Sequence, residues 1–468
     1  MKEETKKKIL TYLLAFTIPL VFRSIPELKY KYPLGADTPF YMYTMKYSKI
    51  PPLIMDIWRQ NNIYYTLLAH LGKTGIDPII FFKTYPPIVF ALTILAFVAY
   101  ADIKLKWKPR DLIILSTIMT LTPALLRLSW DLHRQNFATL ILAWTIVLLE
   151  TKLSWKIKTP TTLAALLTIA FTHELIFAIA ITVIAWNLLE KTWKQKNTPL
   201  ERKATITIAI LILLTLPIIF YITIKPQTLN TINQLLAKTK YQTETWKQLD
   251  TILTYTILSY GAILPIAALG IFHSNLTTPW ITFSTVICAA SAIIAGPILF
   301  LNRIIHTTTY PIAVYAANTI RKMNFKKAAP YLVLIVLSIQ PLSMLGTFPL
   351  PITFFAEKRQ GEFTDLLAPC ISEEQIEALN YFKQHIEKHP EIKIIGFHPW
   401  YLSGWVSYFY GEHNLAYYGT TLAWARKGKT LYYITFNDHR NPMLKYKNIN
   451  QTKIATYKEL ALYILNPK

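Results

Sequence analysis

A single carboxylate in a stiff aromatic loop is the strongest chemical feature of the chain. The run Tyr32-Pro33-Leu34-Gly35-Ala36-Asp37-Thr38-Pro39-Phe40-Tyr41 sets Asp37 between a Gly-Ala turn and a Thr-Pro step. Pro33 and Pro39 stiffen the backbone and Gly35 allows a tight bend, so the acid is held in place. Asp37 is the candidate catalytic residue; the alternative is a plain cap for a helix beginning near Pro39. Three more polar groups interrupt apolar sequence. Residues 129–136 carry Asp131, His133 and Arg134, Thr172 is followed by His173 and Glu174, and Asn302 is followed by Arg303 and, three residues on, His306. These seven ionisable residues are the candidate substrate-binding set. Each has a structural alternative. Asp131 and Arg134 could pair at a helix end, His173 and Glu174 could be a buried pair, and Arg303 could reach lipid headgroups. Together, carboxylates beside Arg and His suit displacement at a phosphate-bearing lipid. A carboxylate deprotonates an acceptor hydroxyl, and the cations neutralise the departing phosphate.

The elements that must position these residues are membrane helices. Of 468 residues, 53% are hydrophobic and only 16% charged, with mean hydropathy +0.30. Several apolar runs approach the ~20 residues that span a bilayer. The net charge of +23 is not a nucleic-acid signal, because Lys and Arg concentrate beside apolar segments. The expected class is a multi-pass cell-membrane protein, mainly α, with membrane lipids as partners and no nucleic acid. Cys288 and Cys370 lie in an apolar run and a polar tail, and are not expected to pair. Abundant Ile and Lys with only 13 Gly suggest an archaeal or thermophilic source. No cleavage site follows the first apolar segment, which is read as an uncleaved span.

The expected spans are residues 9–28, 79–100, 111–128, 137–149, 204–224, 251–272, 280–301, 304–320 and 329–348. The first outer loop, 29–77, contains an amphipathic interfacial helix over 50–71. The stretch 160–189 fits a half-depth hairpin, with arms 161–171 and 175–189 and His173 and Glu174 at its tip. Arms of that length reach roughly 16–22 Å, short of the ~30 Å core. Loop backbone at that depth must line a cavity or be buried in protein. The count is about eleven helices, with the N-terminus cytoplasmic by its four lysines and the C-terminus extracytoplasmic. On this topology Asp37 and the seven binding candidates share the outer face.

Residues 1–348 are therefore expected as the transmembrane domain and 349–468 as a small extracytoplasmic α/β domain. In the latter, Ser372 and Gln375 form a capping box for a helix to about residue 389. Runs 392–397 and 431–436 read as buried strands. The aromatic run over 397–418 is expected to serve core packing before sugar stacking. This domain shows no metal spacing, nucleophile elbow or phosphate loop.

The layout of residues 1 to about 350 resembles the GT-C superfamily of polytopic glycosyltransferases, which includes protein O-mannosyltransferases and oligosaccharyltransferases. The run Gly35-Ala36-Asp37-Thr38-Pro39-Phe40-Tyr41 is similar to the acidic motif in the first outer loop of that family. The resemblance implies a glycosyltransferase (a hexosyltransferase) with Asp37 as its acid-base residue. A sugar would move with inversion from a polyprenyl or dolichyl phosphate carrier to an acceptor hydroxyl on a glycan, lipid or protein. It implies no metal requirement, although a divalent ion stays open. No Trp-Trp-Asp-Tyr-Gly run and no Asp-x-Asp at Asp37 is present, which disfavours en bloc oligosaccharide transfer. The rival from another class is a transporter or flippase of a lipid-linked substrate, against which no inverted repeat is found.

Overall fold

The computed structural model describes residues 3–49 except 36, 62–194, parts of 253–271 and 280–286, 301–344 except 326, and 372–467 except 399–401, 439 and 447–448. The chain divides into two compact units. One comprises Met1–Pro26, Gln60–Ile63 and Tyr85–Phe355; the other comprises Glu27–Arg59, Tyr64–Thr84 and Ala356–Lys468.

The first unit is helical. Helix α1, Glu3–Lys29, and helix α4, Pro78–Ile103, are each long and apolar enough to cross a membrane. Both match expected spans. Along α1, Ile9, Leu10, Leu13 and Val21 are exposed, as suits side chains meeting lipid. The expected span 111–128 is not one rod. It forms α5, Pro109–Thr120, and α6, Pro123–Asp131, bent by 62°. Pro123 has no N–H to continue the ladder and forces Thr122 into an extended conformation (φ −92°, ψ 117°). The polar segment 129–136 is likewise not a loop. It forms the end of α6 and the start of α7, His133–Glu150, with only Leu132 between them.

The hairpin is present, as α8, Trp155–Ala170, and α9, Glu174–Lys194. Its arms are longer than expected, about 24 and 31 Å, so their length gives no support to a half-depth insertion. The turn is residues 171–173, and Glu174 opens α9. Helix α10 is Ile263–Ile271, α11 is Leu301–Ile320 and α12 is Ala329–Met344. Asn302 to His306 were expected as an outer turn. They form the first turn and a half of α11 instead. The expected span 204–224, most of 280–301 and the segment 50–61 lie outside the described residues, and with them the full helix count.

The second unit joins the first-loop helices to the C-terminal α/β elements. It contains α2, Thr38–Tyr47, and α3, Ile63–Lys73. These two cross closely, since a Cβ on Gly72 would come within 1.8 Å of the Met45 carbonyl oxygen. Helix α13, Glu373–Ile386, begins with the expected Ser372/Gln375 capping box. Then follow β1 Ile394–Phe397, α14 Ser403–Tyr410, β2 Asn414–Tyr417, α15 Tyr418–Arg426, β3 Leu431–Phe436, β4 Ile449–Tyr457 and β5 Leu460–Pro467. The sheet order is β2-β1-β3-β5-β4. β1 is parallel to β2 and β3, while β5 is antiparallel to β3 and β4. Trp405, Tyr408 and Tyr410 are buried, so these members of the aromatic run serve the core.

Candidate active site

In the helical unit, ionisable side chains gather at the ends of five helices. Near the end of α1, Arg23 is fully buried. Its Nε donates to Ser129 Oγ at 2.6 Å and its Nη2 to the Ser129 carbonyl at 3.3 Å. Arg127 on α6 and His133 and Arg134 in the first turn of α7 are also buried. The Asn136 amide donates to the Leu128 carbonyl, tying the start of α7 back across the junction to α6. Gln135 Nε2 donates to the Arg303 carbonyl at 3.4 Å, joining α7 to α11. At the α8–α9 turn, Asn62 Nδ2 donates to the Thr172 carbonyl at 3.0 Å and the Ile63 amide to the Phe171 carbonyl at 3.0 Å.

Electrostatics tie the group together. Arg134 Nη2 lies 3.6 Å from Glu174 Oε1, with both side chains largely buried. Among the described side chains Arg134 therefore has Glu174 as an ion-pair partner. Asp131 closes α6, and its side chain lies outside those described. The charges of Arg134 and Arg303 act on His173, those of Arg127 and Arg303 on His306, and those of Arg23 and Arg127 on His133. His173 and His306 are buried, and neither ring nitrogen of either has a hydrogen-bond partner. The described side chains of this group include four arginines, three histidines and Glu174, and the buried Glu27 lies one turn on from Arg23 in α1.

Guanidinium groups gathered at helix ends are suited to bind an anion. The planar fork of Arg matches phosphate oxygens, and unpaired imidazoles can accept or donate to them. The first turns of α7 and α11 also carry no acid, so their amide ends add positive potential. Arg134, His133, His173, Glu174, Arg303 and His306 were legible as candidates. Arg23, Arg127 and Gln135 were not, although an Arg inside an apolar run is itself a signal of function.

Asp37 belongs to the second unit. Gly35 has φ 103°, open to Gly and strained for other residues, and the chain then enters α2. The Asp37 carbonyl accepts from the Phe40 amide at 3.0 Å, and Thr38 Oγ1 donates to the Leu34 carbonyl at 2.5 Å. Asp37 occupies the cap position of α2 but makes no side-chain capping hydrogen bond, so the cap alternative loses its basis. One turn on, the Tyr41 ring packs edge-on to Tyr64 and stacks with Tyr65 and Phe82 at 5.7 and 6.2 Å. Among the described residues no three His, Cys, Asp or Glu side chains could together hold a metal ion.

ArnT from Cupriavidus metallidurans, in the apo state, matches this chain with TM-score 0.55 at 10% identity, over 99% of this chain and 98% of its own. The same protein bound to undecaprenyl phosphate matches with TM-score 0.56 at 9% identity, over 98% of both chains. The arabinofuranosyltransferase AftD from mycobacteria matches with TM-score 0.51 at 10% identity, over 98% of this chain and 40% of its own. The chain has the GT-C fold. No family model and no curated protein sequence matches it.

Proposed function

We propose that this chain is a membrane glycosyltransferase that takes a sugar from a polyprenyl-phosphate carrier. The observation that carries the reading is the gathering of arginines and histidines at the helix ends, in a fold shared with a protein that binds undecaprenyl phosphate. The arginines hold the phosphate of the donor. Asp37 takes the proton of an acceptor hydroxyl, whose oxygen attacks the anomeric carbon. The bond from that carbon to the phosphate oxygen breaks, the oxygen keeps the electron pair as the carrier phosphate leaves, and the guanidinium groups offset its charge. Attack opposite the leaving group inverts the anomeric centre. The outer membrane face, a hexose as the sugar and dolichyl phosphate as the carrier belong to the same reading.

The test is sugar transfer by the purified protein from a panel of polyprenyl-phosphate donors, with free polyprenyl phosphate as competitor. Transfer inhibited by the free carrier supports the reading. Absence of transfer together with absence of polyprenyl phosphate binding contradicts it.

A further inference from the structure

The segment carrying Asp37 is docked on both sides of the acid against one short helix of the C-terminal domain. Before Asp37, the Tyr32 ring packs edge-on against Trp405 of α14 at 5.3 Å. Lys31 adds an ion pair with Glu377 of α13 at 2.9 Å, and its backbone amide donates to Glu373. After Asp37, three side chains of α2 reach the C-terminal end of α14. Lys46 Nζ donates to the Tyr408 carbonyl at 3.1 Å, Tyr47 OH to the same carbonyl at 3.2 Å, and Tyr43 OH to the Gly411 carbonyl at 3.3 Å.

The last carbonyls of a helix have no partner within it and favour a cation. Lys46 supplies that cation, and its ammonium also lies 4.7 Å from the Tyr408 ring centre and 4.9 Å from that of Tyr47. Burial pushes Tyr47 up to about 12, so its hydroxyl stays a donor at neutral pH. The fit is close at Gly411, where a Cβ would come within 1.9 Å of Tyr43 Cε2. Helix α2 has only 10 residues, and its first residue follows Asp37 directly. Fixing its far end and Tyr32 therefore fixes both flanks of the acid.

We infer that Lys46, with Tyr43 and Tyr47, is a positioning latch through which α14 of the C-terminal domain sets the place of Asp37. The inference rests on the reading of Asp37 as the base. It makes the C-terminal domain part of the catalytic apparatus.

The experiment uses the full chain in detergent as wild type, Lys46→Met, Lys46→Arg and Tyr47→Phe, with two readouts. Amide hydrogen exchange should rise about tenfold or more over residues 38–47 in Lys46→Met and stay unchanged in β3 and β5. In the transfer assay, kcat should fall about tenfold to a hundredfold with the Kd for the carrier unchanged. Lys46→Arg should restore both, and Tyr47→Phe should give a smaller change in the same direction. Unchanged exchange over 38–47 in both Lys46→Met and Tyr47→Phe overturns the latch, and so does loosened exchange with unchanged kcat. If wild type transfers no sugar, the functional reading fails by itself, and the exchange data still decide whether the latch exists.

Discussion

Arg134 and Glu174 form an ion pair with little solvent on either side, and such pairs are sensitive to the loss of one member. Glu174→Gln should lower stability by about 3 kcal/mol without ligand, because it removes the carboxylate charge beside a buried guanidinium. Thermal unfolding in detergent would show this, and added polyprenyl phosphate should recover part of the loss by binding the native state. An unchanged melting temperature would mean that Arg134 is paired by other groups. Arg303 is expected to act on the carrier directly. Arg303→Gln should raise the Kd for polyprenyl phosphate about tenfold, in line with about 1.5–3 kcal/mol for a hydrogen bond to a charged group. Most of this group stands out in the sequence, since ionisable residues in apolar stretches are conspicuous. Its pairing does not. Among the described side chains Arg134 pairs with Glu174, forty residues on and at the head of another helix, a contact that sequence spacing does not show. Arg23 and Arg127 fell within expected spans close to their ends and were passed over for that reason.

The elements show where apolar periodicity suffices and where it does not. Helices α1 and α4 lie where hydropathy alone puts them, because length and apolarity decide a span. The break between α5 and α6 was missed because leucines and isoleucines continue on both sides of Pro123. One missing N–H bends what composition presents as one helix. The hairpin β4–β5 was also missed, since β4 is an edge strand with many exposed polar residues and only a weak period of two. The capping box at Ser372 and the buried strand β3 were legible because their signals are local. At this scale Gly35→Ala should destabilise the second unit by about 1 kcal/mol or more, because φ 103° strains any residue with a Cβ. Transfer should fall by a larger factor than the stability loss explains, as Asp37 lies two residues on. Equal losses in both would argue that the turn serves stability alone.

Across the whole molecule, the division of the chain is less sequential than the sequence suggests. The first-loop segment and the C-terminal α/β elements belong to one compact unit, although residues 85–355 separate them in sequence. Proximity of that kind leaves no trace in composition, which is why a boundary at residue 348 looked natural. A chain ending at residue 348 should therefore still enter the membrane, since α1 and α4 remain, but should lose transfer because α2 has lost α14. The account depends most directly on Asp37 as the base. The measurement is sugar transfer from a polyprenyl-phosphate donor by wild type and Asp37→Asn, with carrier binding measured on both. The account predicts that Asp37→Asn lowers kcat by about a hundredfold or more while the Kd for the carrier stays within about twofold of wild type. Equal kcat in the two proteins would contradict it.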